Sequence, residues 1–412
     1  MAIVARKPLN PFYLITDIPD EYFCDRENET KTVIGLLENG NNVVITAPRR
    51  VGKTSMLHHI LNNSGIKKKY NTLYVDIYDT NTPEDFISEF RKAIQKSDFS
   101  GKDKDGIEKI CREFYAKIDL SGIRIPLSAE AGYKEERVKK AETTIDSIFD
   151  FLEKTKKPNI IVFDEFQQIE EYSDKITRLL RSKIQWTKNT GFIYSGSETH
   201  LLTSMFSNYN EPFYGSSSLI GLSKIKEPVY AEFCQRMFAK YGKTIDADII
   251  SEPYNLFWGS ILNLQQLFNK VFEQTPSKGT VKNNDIIDSI NLILDARDEA
   301  YKATLRDLKD KERQLLEAIA IEGVVSGPMS GEFVRKYQLG TPSSIQNSLK
   351  NLHVGSRPMI SKSPNNACVV RDKFLELWIA REHEMLQWKI SNAKENYERY
   401  KKTFQRLNEI KP

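Results

Sequence analysis

Residues 43–55 read Val-Val-Ile-Thr-Ala-Pro-Arg-Arg-Val-Gly-Lys-Thr-Ser, an apolar run that breaks into a glycine-lysine-threonine loop ahead of a helix-like stretch, Met56-Leu57-His58-His59-Ile60. Val43, Val44 and Ile45 suit a buried strand, because β-branched side chains pack well on a pleated surface. Gly52 lets the backbone approach a polyphosphate closely, Lys53 stands where an ammonium reaches the β/γ-phosphates, and the Thr54 hydroxyl stands where it reaches Mg²⁺. The loop of Ala47, Pro48, Arg49, Arg50, Val51, Gly52, Lys53, Thr54 and Ser55 is therefore the candidate site for ATP with Mg²⁺. Ala47 stands where G-x-x-x-x-G-K-[ST] has its first glycine; a requirement for positive φ there would cost alanine roughly 1 kcal/mol.

A second apolar strand, Asn159-Ile160-Ile161-Val162-Phe163, ends in two adjacent carboxylates, Asp164 and Glu165. Asp164 is the candidate to hold Mg²⁺ through water, and Glu165 the candidate general base for the attacking water. A third strand, residues 192–197, ends in Ser195-Gly196-Ser197 before a helix expected over 198–206. A polar residue on a strand beside such a carboxylate pair can sense the γ-phosphate or orient water. Ser197 is the first choice and Ser195 the alternative, and either is equally the kind of residue that caps a helix. A P-loop kinase is less favoured, since Asp164-Glu165 supplies a water-activating base and no acceptor site is visible, and a GTPase is less favoured because no Asn-Lys-x-Asp motif occurs.

Ala-Pro-Arg-Arg-Val-Gly-Lys-Thr-Ser-Met-Leu, residues 47–57, resembles the GPRRxGKTSLL loop of the archaeal-type STAND ATPases, a branch of the AAA+-related P-loop proteins. Residues 22–29, with Phe23, Arg26 and Glu29, are similar to that family's F-x-x-R-x-x-E segment, Asp164-Glu165-Phe166-Gln167 to its DEFQ, and Ser195-Gly196-Ser197 to its SGS. The resemblance runs from about residue 10 to about residue 380. It implies a nucleotide-driven switch in which a helical lid and a winged helix follow the ATPase core. Two departures stand out: Ser216 replaces the arginine of PLYGR, and Trp258-Gly259-Ser260-Ile261 lacks the proline of the lid's glycine-x-proline segment. Slow hydrolysis is the expected consequence.

The strands at 43–46, 73–77, 159–163 and 191–195 alternate with helices from Lys53 and over 83–95, the rhythm of a parallel sheet covered on both faces. The expected fold is thus α/β, a P-loop NTPase core of the ASCE/AAA+ kind over residues 1–221. An all-α lid over 222–304, a winged-helix domain over 305–380 and a helical tail over 381–412 complete the expectation. Residues 98–140, polar with a short extended piece at Ile123-Arg124-Ile125, read as an insertion in the core to which no chemistry is assigned. Lid helices are expected over 230–240, 262–272 and 284–306. The winged helix is expected as helices over 311–322, 330–338 and from Pro342, with wing strands over 359–362 and 367–370. Its third helix turns Ser343, Ser344, Gln346, Asn347 and Lys350 outward, which makes duplex DNA a candidate partner. With a single lysine the face is poor in cations, so a protein partner or self-association stands beside DNA. Arg49 or Arg50 is expected to touch the lid, a neighbouring subunit or a partner, and Trp378 to anchor the winged helix. The tail, with Lys389, Lys394, Arg399, Lys401, Lys402 and Arg406, reads as a solvated terminal helix, with a basic amphipathic helix as the alternative.

Composition fits a soluble chain: 40% hydrophobic and 28% charged residues over 412 positions can bury a substantial core, and a net charge of +4 neither demands nor excludes nucleic acid. The four cysteines show no metal spacing and are expected to be reduced packing residues. Neither a signal peptide nor a membrane span is expected, which suggests a cytoplasmic location.

Overall fold

The computed structural model describes residues 9–15, 18–48, 50–118, 130–354, 358–363 and 365–405. It divides into two compact units, one holding the described residues from Ile15 to Ser223 and the other those up to Leu14 together with those from Lys224 on.

In the first unit, strands β1 (Val43–Thr46), β2 (Asn71–Asp76), β3 (Asn159–Asp164), β4 (Thr190–Gly196) and β5 (Ser218–Gly221) form a sheet in the order β2-β3-β4-β1-β5 with every pairing parallel. Alternate side chains enter two separate cores. Val43, Ile45, Ile160, Val162 and Ile193 pack under helices α1 (Glu27–Glu38), α2 (Lys53–Asn62) and α3 (Ser64–Lys69). Val44, Leu73, Val75, Ile161, Phe163, Phe192 and Tyr194 pack under α4 (Pro83–Lys96), α5 (Gly101–Ile118), α6 (Glu130–Leu152), α7 (Asp174–Trp186) and α8 (Thr199–Ser207). Burial on both faces is why these strands read as continuous apolar runs. β5 escaped the sequence reading because four residues, Ser-Leu-Ile-Gly, carry too little pattern.

Residues 98–140 contribute more to the core than their polar sequence implies. α5 and α6 are helices of 18 and 23 residues. Their Ile107, Cys111 and Phe114, and their Ala141, Ile145, Ile148, Phe149 and Leu152, belong to the core. The stripe has helical spacing, but the Lys and Asp residues of the opposite face dilute it in any window average. Ile123-Arg124-Ile125 lies outside the described residues.

The second unit opens with Phe12, fully buried against Phe233, Phe238, Phe268 and Phe272. Asn10 and Asn269 hold that segment reciprocally: each amide donates to a backbone carbonyl on the other side, Asn269 O at 2.8 Å and Phe12 O at 2.7 Å. These residues therefore pack with the C-terminal unit, whereas the sequence groups them with the core. Helices α9 (Glu227–Lys240), α10 (Ala247–Leu256), α11 (Ile261–Gln274), α12 (Asn283–Ala296) and α13 (Asp298–Arg306) follow. The single helix expected over 284–306 breaks at Arg297, whose guanidinium lies 4.6 Å from the Phe374 ring centroid and donates to Gln266. Between α10 and α11, Trp258 and Gly259 both adopt left-handed φ, 53° and 64°. A Cβ on Gly259 would sit 2.8 Å from the Tyr254 hydroxyl, so glycine is required there.

Helices α14 (Asp310–Glu322), α15 (Gly331–Lys336) and α16 (Pro342–Val354) precede the antiparallel hairpin of β6 (Ile360–Lys362) and β7 (Cys368–Val370), and Val325 bridges Cys368 as a third edge. This is a winged-helix arrangement. In α17 (Lys373–Glu382), the Trp378 indole donates to Asp298 Oδ1 at 3.0 Å and packs on Tyr301, which ties the winged helix to α13.

The described part of the tail is not a solvated helix. α18 (Leu386–Ser391) and α19 (Ala393–Tyr400) bury Leu386, Lys389, Ile390, Ala393, Asn396 and Tyr397. Glu376 accepts from Lys373 at 2.7 Å and from Lys389 at 3.0 Å, all three being buried. Lys373 also sits 3.5 Å from the centroid of Trp258, which stacks on Tyr400. Charged letters in a sequence look solvated, and here only the packing of α18 against α17 reveals the pairing. All four cysteines are buried and unbridged, and among the described residues no helix is long and apolar enough to cross a membrane.

Candidate nucleotide site

β1 ends at Thr46, and the chain turns through the loop into α2, whose N-cap is Gly52. Ala47 is buried with φ outside the positive range, so alanine carries no penalty there. Positive φ falls instead on Arg50, at 67°, and Gly52, at 88°. Val51 packs into the core beneath the loop, Arg50 is exposed, and Arg49 lies outside the described residues. Lys53, Thr54 and Ser55 occupy the first turn of α2, where unsatisfied N–H groups and the helix dipole favour an anion.

β4 lies between β1 and β3, so the ends of all three strands meet at the loop. Lys53 Nζ donates to Asp164 Oδ1 at 2.7 Å and to Glu165 Oε1 at 3.4 Å, and Thr54 Oγ1 donates to Asp164 Oδ2 at 3.3 Å. Asp164 also accepts from Ser195 Oγ and from the Tyr74 hydroxyl, each at 2.5 Å. Glu165, held at φ 55°, accepts from the Ser197 N–H and hydroxyl at 3.0 Å and from Gln167 Nε2 at 2.6 Å. Both serines thus reach the carboxylates. Neither caps α8, whose N-cap residue is Glu198.

Burial works to raise the Asp164 carboxyl, but the Lys53 ammonium and the hydrogen bonds from Lys53, Ser195 and Tyr74 outweigh it and hold it below the usual aspartate value. Glu165 follows the same pattern: burial raises it, while the Lys53 charge and the donors Gln167 and Ser197 bring it below the usual glutamate value. Burial and the Asp164 charge push the Tyr74 hydroxyl well up, so it stays a donor. Both carboxylates are therefore ionised at neutral pH.

Tyr74 and Gln167 were missed as site residues. Tyr74 lies on β2 two positions before Asp76, which pairs in register with Asp164, a relation only strand pairing reveals. Gln167 was visible only as the last letter of the DEFQ match. Gly196 explains its own identity: a Cβ there would meet Gln167 Oε1 at 2.1 Å and Leu202 at 3.3 Å. Gly196→Ala is expected to displace the Gln167 amide from Glu165 and to cost about 1–3 kcal/mol of stability, read as a lower unfolding midpoint.

A glycine-lysine-threonine loop between a parallel strand and a helix, facing a carboxylate pair two strands away, defines a P-loop ATPase-like protein. Residues 23–250 match the ATPase domain predominantly from Archaea, and residues 299–381 match a probable winged helix domain. The chain belongs to that archaeal ATPase family. Two uncharacterized ATP-binding proteins of Methanocaldococcus jannaschii are each 29% identical to it, over 153 and 166 residues. These stretches cover 36% of this chain and 41% and 43% of the relatives, less than half of either. Among solved structures, the Walker-type ATPase of Pyrococcus abyssi matches with TM-score 0.58 and 19% identity, covering 90% of this chain and 99% of that one. The Aeropyrum pernix ORC1 protein in complex with DNA matches with TM-score 0.51 and 11% identity, covering 92% and 98%. At these identities the likeness concerns the fold.

Proposed function

We propose that the chain is a Mg²⁺-dependent ATPase whose nucleotide state governs its helical and winged-helix segments, in the manner of STAND and AAA+-related switches. The observation that carries this reading is the convergence of Lys53, Thr54, Asp164, Glu165, Ser195 and Ser197 at the carboxyl ends of β1, β3 and β4. Thr54 and Asp164 offer the hard oxygen donors that suit Mg²⁺, and Thr54 already reaches the carboxylate. Bound there, the ion would neutralise phosphate charge. Lys53, now on Asp164, is long enough to exchange that carboxylate for the β/γ-phosphates. Glu165 serves as general base, oriented by Gln167 and Ser197, and Ser197 is the residue through which γ-phosphate occupancy reaches Glu165. Ala47, Pro48, Arg49, Arg50, Val51, Gly52 and Ser55 complete the phosphate cradle.

Hydrogen exchange over residues 305–380, compared between ATP with Mg²⁺ and ADP, tests the switch. A ligand shifts an equilibrium only by its differential affinity for the two states, so protection is expected to differ. Identical protection would leave an ATPase with an uncoupled appendage. Absence of multiple-turnover hydrolysis would instead favour a nucleotide-gated binding module. Duplex DNA is a second candidate partner: Ser343, Gln346, Asn347 and Lys350 are exposed on α16. A salt-dependent mobility shift on duplex DNA separates it from a protein partner or self-association.

A further inference from the structure

Arg26 is 2% exposed and takes φ 84° as the N-cap of α1. Left-handed backbone at a non-glycine residue is unfavourable, and so is a buried guanidinium without partners. This one donates to Glu29 Oε1 at 2.8 Å, to the Val51 carbonyl at 3.3 Å and to the Ser223 carbonyl at 2.6 Å. The first contact balances charge. The other two reach the backbone at two places, the phosphate loop and the segment that leaves the sheet after β5.

The Val51 carbonyl belongs to the peptide that joins Val51 to Gly52. In a trans peptide the C=O and N–H point in opposite directions, so a carbonyl held on Arg26 turns the Gly52 N–H away from it. Glycine takes either sign of φ readily. The loop's own sequence therefore does little to stop this peptide from flipping, and a flipped peptide would present a carbonyl to an anion where an N–H is needed.

We propose that Arg26 is a positioning residue for the phosphate loop, locking the Val51–Gly52 peptide with its N–H available to the polyphosphate and tying that loop to Ser223. The proposal rests on the ATP reading of the loop. Its strained backbone and buried charge are then explained together, because the guanidinium must reach two carbonyls at once and only arginine's planar fork presents several donors in fixed directions. A lysine at the same position has a single ammonium and would hold at most part of this geometry.

The test uses the full chain and ATP with Mg²⁺, in the wild type and in Arg26→Lys and Arg26→Gln. The Kd for ATP is expected to rise about tenfold in Arg26→Lys and up to about a hundredfold in Arg26→Gln. KM should rise with it while kcat at saturating ATP stays within about threefold, a split that a general loss of folded protein does not produce. Hydrogen exchange over residues 223–227 should respond to ATP in the wild type and not in Arg26→Lys; an equal response in both would remove Ser223 from the inference. ATP affinity within twofold of wild type in a folded Arg26→Gln protein overturns the proposal, and if that variant does not fold, the same result in Arg26→Lys does so. A wild-type chain that binds no ATP defeats the nucleotide reading itself, whereas normal wild-type binding with indifferent variants defeats only the role of Arg26.

Discussion

Glu165→Gln is expected to retain ATP and lose turnover, whereas Lys53→Ala should abolish tight ATP binding. The difference follows from what each group touches. Lys53 is the cation nearest both carboxylates and stands at the first turn of α2, so its removal takes away a charge-assisted phosphate contact and its orientation. Glu165 keeps its shape as glutamine and can still meet Ser197, but the amide cannot take a proton from water. Loss of a positioned base should lower the rate on the order of 10² or more. Equilibrium binding of ATP and multiple-turnover phosphate release measure the two effects separately. Hydrolysis by Glu165→Gln within a few-fold of wild type would remove the general-base assignment.

Glu376→Gln should be the most destabilising conservative change in the C-terminal unit. Glu376 lies between Lys373 and Lys389 with all three side chains buried, so the amide would leave two buried ammonium groups without a counter-charge. Breaking such a pair typically costs about 3–5 kcal/mol. For a unit of this size that corresponds to a fall in unfolding midpoint of about 6–20 °C.

The pH dependence of that unit has a defined sign. Burial acts to raise the Glu376 carboxyl, yet Lys373 and Lys389 hold it below the usual glutamate value. Its contribution is therefore complete above the ordinary carboxylate range and is lost as pH falls through its depressed pKa. Lys373 behaves oppositely: burial pulls its ammonium down to about 8, from an ordinary value of 10.5. Between those values the unfolded chain binds the extra proton, so this residue's contribution becomes more favourable as pH rises through that window. Glu376→Gln should remove the acid-side loss, a result that equilibrium unfolding between acid and neutral pH would show.

The sheet and the candidate site were legible because their signals are local. A β-branched run followed by Gly-Lys-Thr, and an apolar run followed by Asp-Glu, are each complete within about a dozen residues. A shared ligand at the strands' carboxyl ends was implied by the same motifs, whereas the strand order β2-β3-β4-β1-β5 came only with the structure. The core helices α5 and α6 were harder: their buried stripe is regular, but a run of charged residues on the other face led to an insertion reading.

What the sequence by itself determined is the P-loop ATPase-like class, from the local patterns around Lys53 and around Asp164-Glu165, and the winged-helix pattern near the end of the chain. Tertiary structure alone decided which side chains complete the site and what the tail does. Tyr74 and Gln167 reach the carboxylates through strand pairing and a tight turn, Arg26 meets Val51 and Ser223 across 25 and 197 positions, and Lys389 meets Glu376 across 13. The physical reason is that a hydrogen bond or an ion pair is set by distance in space. Sequence patterns record periodicity along one element, and nothing in that periodicity says which buried charge a distant element will bring to meet it.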